Sequence, residues 1–222
     1  MKLRALAFDL DGTLYPEYRL IFPSLGTIIR HPLFLYHFSE VRKEIRHLRP
    51  IDNYKDAQAR LFAKRRNIPV DRARAIIDKI VYKRWVASIR KIRPFHGLRE
   101  ILREVKKNGY ILALMSDLPV EAKLEYLGLD GIWDHAFSSE ETGYLKPNRE
   151  PFQELIRRIG LPPSEILYIG NNYHYDVLGA ARAGMRTAHL CGRKPKDSIA
   201  DVHCRNAKEL VDFLSSLGKA GT

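Results

Sequence analysis

At 222 residues, 45% of them hydrophobic, the chain can bury a sizeable core as one domain or as one domain with a large insertion, which places it among ordinary soluble globular proteins. No apolar run reaches the ~18 residues that a membrane span needs, and the opening MKLRALAFDL meets Asp9 too early for the apolar region of a signal peptide, so a cytoplasmic location is expected. The net charge of +12 is localised: Glu17 to Arg93 holds 19 Lys+Arg against 7 Asp+Glu, and the remainder carries 19 of each.

In chain order, LRALAFDL reads as a short apolar strand. The basic segment that follows, bounded closely by Pro16 and Pro94, has no strand rhythm and several amphipathic helical windows. Past it, a helix from Leu98 stops at Gly109, and YILALMSD and WDHAF read as strands. Asn148 can cap a helix that Gly160 ends; ILYIG and RTAHL are strands; Asn206 can cap a last helix that Gly218 ends. Strands alternating with helices imply an α/β fold, a Rossmann-like parallel sheet core formed by residues 1–16 and 94–222 and interrupted by an inserted α-helical cap over 17–93. There is no internal repeat or low-complexity tract. Cys191 and Cys204 form no CxxC pair, and no metal or redox role is expected of them.

The chemistry begins in AFDLDGTLYP. Asp9 and Asp11, one residue apart at a strand end, can project into one crevice, and Gly12 lets the backbone turn away. Two carboxylates this close repel unless a cation sits with them, and a hard oxygen-ligated ion such as Mg2+ suits the pair. They also permit a division of labour between nucleophile and general acid or base. On its own, a DxDG fits an acidic turn as readily as a reaction site.

The residues Asp9, Asp11, Gly12 and Thr13 resemble the opening DxDGT motif of the phosphatase branch of the haloacid dehalogenase superfamily. The likeness continues in order with Ser116 in LALMSDLP, Lys146 in GYLKPNREPF, and Gly170, Asp176, Gly179 and Ala180 in YIGNNYHYDVLGA. It implies that Asp9 attacks phosphorus to form an aspartyl-phosphate and that Asp11 protonates the leaving oxygen and later activates water. It further implies a phosphate-binding set of Thr13, Ser116, Asp117 and Lys146, and a Mg2+ set of Asp9, Asp11, Asn171 and Asp176. The presence of Asp11 favours phosphoryl chemistry over carbon–halogen cleavage; a phosphomutase would use the same residues. Where the family places an aspartate after the glycine, this chain has Asn171, whose amide oxygen can meet a hard cation but brings no charge. Asn172 reads as a turn residue.

The resemblance also implies that residues 17–93 are a cap that closes over the crevice and selects a small phosphorylated substrate. On a continuous helix at ~100° per residue, Arg72, Lys79, Lys83 and Arg90 form a basic stripe, with Ala73, Ile77 and Ile80 on a core-facing side. The stripe fits a solvated face, or a surface that draws a substrate with several negative groups. A second reading is a catalytically weakened core whose basic cap binds nucleic acid or an anionic membrane surface, helped by the apolar LIFPSLGTIIRHPLFLYHF and by Tyr36, His37 and Phe38. Packing inside the cap is the plainer expectation for that run.

Overall fold

The computed structural model describes residues 2–221. Its centre is one parallel sheet of six strands, β1 (Ala5–Phe8), β2 (Ile111–Ser116), β3 (His135–Ser138), β4 (Ile166–Gly170), β5 (Arg186–Leu190) and β6 (Val202–Cys204), in the spatial order β3-β2-β1-β4-β5-β6. After β1 the chain makes a 3-10 turn (Glu17–Leu20) and enters α1 (Ile21–Arg30), α2 (Pro32–Ile45), α3 (Tyr54–Arg66), α4 (Val70–Ile77), a π-helical stretch (Asp78–Trp85) and the short α5 (Val86–Ser88). The helices around the sheet are α6 (Leu98–Lys107), α7 (Glu121–Leu127), α8 (Arg149–Ile159), α9 (Leu178–Arg182) and, after the last strand, α10 (Ala207–Ser215).

β1 is central because it is apolar on both faces: all four residues are fully buried. Successive side chains point to opposite sides. Leu6 and Phe8 pack in a cluster with Leu98, Leu102, Leu210 and Leu214 from α6 and α10. Ala5 and Ala7 leave room on the other face for Phe152 and Leu155 of α8, Tyr168 and Ala180. The neighbours of β1, β2 on one side and β4 on the other, are reached by connections running in opposite directions, so a crevice opens at the carboxyl ends of these strands.

Several local expectations need correcting. The edge strand β6 has three residues, too few to show a period in the sequence. Asn206 does cap α10, accepting from the Glu209 N–H at 3.0 Å, but α10 ends at Ser215, short of Gly218. Asn148 precedes α8 without capping it, because its amide donates to the Arg46 carbonyl and accepts from Arg49.

The helical insertion has its own apolar centre, built from Phe34, Val41, Phe62, Ala73, Ile77 and Ile80. Phe38 stacks on Phe34 within it. The expectation of internal packing fails for much of the apolar run: Ile21, Phe22, Leu25, Ile29, Leu33 and Tyr36 are exposed, Phe22 at 84%. The reason is that Ile21, Phe22, Leu25 and Ile29 share one apolar face of α1 and that face is left uncovered, while along the helix only Ser24 is buried. The single-wheel stripe also fails past Ile77. From Asp78 to Trp85 the bonding is of the π type, which winds less per residue than an α-helix, so Lys83 and Arg90 lose phase with Arg72 and Lys79. All four are exposed, and Arg90 turns to the core, bonding the Tyr126 hydroxyl at 2.8 Å. Among the described residues no helix is long and apolar enough to cross a membrane.

Candidate active site

The crevice gathers side chains from the ends of three strands. Asp9 and Asp11 follow β1, Ser116 ends β2, and Asn171 follows Gly170 at the end of β4. Gly170 admits no side chain, since a Cβ there would come within 2.4 Å of the Asp176 Cβ. That absence lets Asp176 fold back from the following π turn (Tyr173–Val177) beneath the strand end, where its Oδ2 accepts from the Asn172 N–H at 2.9 Å. The Asn172 side chain closes the same turn by accepting from the Tyr175 N–H.

Lys146 joins Asp9 to Asp176. Its Nζ donates to Asp9 Oδ1 at 2.7 Å and to Asp176 Oδ1 at 2.6 Å, with the Tyr168 hydroxyl at 3.3 Å. All three charged groups are buried. Burial pushes the Asp9 carboxyl up to about 7; Lys146 pulls against this, and Asp176 and Asp11 add to it. Burial disfavours the Lys146 ammonium, but Asp176 and Asp9 outweigh it and hold its affinity for the proton well above the ordinary lysine range.

Asp11 has a separate partner that the sequence reading missed. Lys123, in α7 and wholly buried, donates to Asp11 Oδ2 at 2.5 Å and to Ser116 Oγ at 3.3 Å. Ser116 Oγ also donates to Asp11 at 3.1 Å, and the Tyr15 hydroxyl donates to its other oxygen. Burial would raise the Asp11 carboxyl; the Lys123 charge and the Lys123, Tyr15 and Ser116 hydrogen bonds more than offset this and leave it below its ordinary range. The signal for Lys123 is its place in VEAKLEYL, three residues after buried Val120 and four before buried Leu127, on the inward side of the helix.

Thr13 ties the two halves of the site together, donating to Asp9 Oδ2 at 3.1 Å and lying 3.3 Å from Asn171 Oδ1. Gly12, at φ +89°, passes so close that a Cβ would lie 2.3 Å from Asn171 Nδ2. Glu17 enters here too. Burial and the charges of Asp11 and Asp176 raise its carboxyl, while a hydrogen bond from the Asn171 side chain opposes them. The donor set therefore has four carboxylates, Asp9, Asp11, Asp176 and Glu17, against two lysines, a deficit of positive charge among hard oxygens that fits a divalent cation. Among the described residues no three such side chains already surround one point; Asp9, Asp11 and Asp176 are each turned to a lysine.

Asp117 stands apart from this set. Its Oδ2 pairs with Arg46 at 2.6 Å and Arg42 at 3.7 Å, and its Oδ1 accepts from Ser139 Oγ and the Lys146 N–H. Burial would raise this carboxyl, but Arg42, Lys146 and Arg46 bring it below the ordinary range. With the side chain so occupied, a phosphate could meet Asp117 only through its main chain. Arg42 and Arg46 come from α2 of the insertion. Arg42 also pairs with Glu140 at 2.5 Å, and Tyr82 donates to the same carboxylate, so the insertion is tied to the rim of the sheet by a largely buried ionic network. Nothing in the local sequence distinguishes these two arginines from the other basic residues of the segment. Cys191 and Cys204 are free thiols, both raised by burial, Cys204 to about 11.

Of the residues singled out in the sequence, Asp9, Thr13, Lys146, Asn171 and Asp176 form one bonded set and Asp11 and Ser116 a second, adjoining one. Comparison with known proteins gives this geometry a context. A family model for haloacid dehalogenase-like hydrolases matches residues 3–184. A glyceraldehyde 3-phosphate phosphatase of Methanopyrus kandleri is 28% identical over 231 residues, which cover 98% of this chain and 99% of that protein. The pyrophosphatase PpaX of Bacillus cereus is 27% identical over 239 residues, covering 99% of this chain and all of its own. The solved structure of the L-2-haloacid dehalogenase RSc1362 shares the fold, with a TM-score of 0.71 at 19% identity over 97% of this chain and 100% of that one. The family match runs from β1 through α9 and so includes every element that supplies a residue to the crevice, and the chain belongs to the haloacid dehalogenase-like hydrolases.

Proposed function

We propose that this protein is a Mg2+-dependent phosphatase that hydrolyses a small phosphorylated metabolite through an aspartyl-phosphate on Asp9. The observation that carries the reading is the pairing of two adjacent strand-end aspartates with two different buried lysines, so that one carboxylate is disposed to attack and the other to move a proton. Asp9, oriented by Lys146 and Thr13, attacks phosphorus and forms a P–O bond as the ester P–O bond breaks. Asp11 protonates the departing oxygen: Lys123, Tyr15 and Ser116 hold its carboxyl below the ordinary range in the protein alone, and the negative charge of a phosphoryl group beside it raises the carboxyl so that it takes up the proton it gives. In the second half, Asp11 takes a proton from the attacking water; the P–O bond to Asp9 breaks, releasing inorganic phosphate and the free carboxylate. Ser116 and Lys146 hold phosphoryl oxygens. Mg2+, held by Asp9, Asp11, Asp176 and the Asn171 amide, would shield the nucleophile from the anion it attacks.

On this reading the helical segment 17–93 serves as a cap over a core of residues 1–16 and 94–222. Both catalytic aspartates are present and partnered, so a binding module with a disabled core is the weaker reading. The basic stripe gives little reason to require an anionic substrate, since Arg72, Lys79 and Lys83 are exposed and the insertion's cations that approach the crevice are Arg42 and Arg46. In a Mg2+ buffer, Asp9→Asn should abolish release of inorganic phosphate from 4-nitrophenyl phosphate; retained release would sink the assignment. Release to water, rather than return of the phosphoryl group to a second hydroxyl, separates phosphatase from phosphomutase. Glyceraldehyde 3-phosphate and pyrophosphate, for which relatives are named, belong at the head of a substrate screen.

A further inference from the structure

A cavity of about 490 Å3 opens off Asp11, walled by Glu17, Tyr18, Leu20, Ile21, Ile28 and Trp85. If Asp11 protonates the leaving oxygen, the group attached to that oxygen extends from Asp11 into this space. The walls come from the 3-10 turn after β1, from α1 and from the π-helical stretch, and five of the six are aliphatic or aromatic. No lysine or arginine lines the cavity; its only formal charges are the carboxylates of Asp11 and Glu17. Arg42 and Arg46 are engaged with Asp117 and Glu140, and Lys123 and Lys146 are buried against Asp11, Asp9 and Asp176.

A leaving group with its own carboxylate or phosphate would therefore meet Glu17 without a counter-ion, and like charges at close range repel. An apolar group would instead cover Tyr18, Ile21 and Trp85, side chains otherwise left partly in water. The volume falls within the range of about 300–1,000 Å3 typical of small-molecule pockets and leaves room for a ring or a chain of several carbons. We infer that this cavity is a leaving-group subsite selecting phosphate monoesters of uncharged, largely apolar alcohols, with Glu17 rejecting anionic ones. The inference rests on the phosphatase reading and narrows it.

The test measures inorganic phosphate released in Mg2+ buffer from ethyl, butyl and hexyl phosphate and from 3-phosphoglycerate. Burying one methylene is worth up to about fourfold in binding, so kcat/KM should rise two- to fourfold per carbon, at least about 15-fold from ethyl to hexyl, mainly through KM. 3-Phosphoglycerate should fall below butyl phosphate. Glu17→Gln should raise the 3-phosphoglycerate to butyl phosphate ratio about tenfold. Ile21→Asn and Ile28→Asn, at positions partly open to solvent, should flatten the alkyl series. A flat or falling series, or 3-phosphoglycerate outrunning hexyl phosphate, overturns the subsite and leaves the phosphatase standing. No phosphate released from any of the four esters overturns the subsite, and if none is released from 4-nitrophenyl phosphate, glyceraldehyde 3-phosphate or pyrophosphate either, the phosphatase reading is overturned as well.

Discussion

Replacing Asp9 with Asn should stabilise the metal-free protein at alkaline pH while removing its activity. Asp9 is 5% exposed, and burial, opposed by Lys146 and reinforced by Asp176 and Asp11, takes its carboxyl from an ordinary 3.8 to about 7. A raised carboxyl pKa means that the folded state holds the proton more tightly than the unfolded chain. The stability this contributes is complete below about pH 4 and is lost as pH rises through about 7. A gap of about three pH units at ~1.36 kcal/mol each amounts to about 4 kcal/mol in all. Of this, about 3 kcal/mol falls between pH 5 and 8. Asparagine does not titrate, so the unfolding free energy of Asp9→Asn minus that of the wild type should climb by about 3 kcal/mol over that interval. Urea unfolding of both proteins in EDTA at pH 5, 6, 7 and 8 reads the difference directly, and most other titrating groups cancel. A difference that stays flat with pH would refute the account of Asp9 as a destabilised buried carboxyl. Adding Mg2+ at pH 8 to about 100 times its dissociation constant should recover about 2.7 kcal/mol for the wild type alone.

Lys123→Met removes a buried partner of Asp11, which should cost about 3 kcal/mol by denaturant unfolding and lower kcat. Because Lys123 holds the Asp11 carboxyl down, its loss should raise that carboxyl and extend the alkaline limb of the kcat/KM profile, where Asp11 must hold a proton, to higher pH. Arg46→Ala breaks the 2.6 Å pair with Asp117 and the 2.7 Å bond to the Lys146 carbonyl, and should raise KM about tenfold, the effect of one charged hydrogen bond, in steady-state assays. Asn171→Asp should lower the Mg2+ concentration that gives half-maximal activity, and an unchanged value would place Asn171 outside the metal set. At the same time the new carboxylate would face Glu17, so the variant should melt lower than the wild type in EDTA.

The sheet was legible because its buried strands are short apolar runs separated by helical patterns, and β1 shows the signal at its clearest in ALAF. The site residues were legible through their resemblance, taken together and in order, to the family's motifs: DxDGT at Asp9–Thr13, then Ser116, Lys146 and the Gly170–Ala180 stretch. What could not be read were contacts that depend on how distant segments meet. Arg42 and Arg46 differ from the other basic residues of the segment only in that α2 delivers them to Asp117 and Glu140. The stripe on α4 failed because a wheel assumes one winding angle, and the π-helical stretch changes it. The exposure of Phe22 and Ile29 escaped notice because amphipathicity tells which residues share an apolar face and not whether another element covers it, and the apolar face of α1 is left open. Lys123 was the one readable miss, a charged residue at the inward register of a short helix.

Lys146 and Lys123 give the crevice internal counter-ions, one serving Asp9 and Asp176 and the other Asp11. The fold therefore does not depend on an external ion to hold these carboxylates together. The metal-stripped protein should keep its shape through chelation, dialysis and storage, and recover activity at once when Mg2+ is restored. The cation's work on this reading is confined to turnover, and an inactive preparation is no sign of an unfolded one.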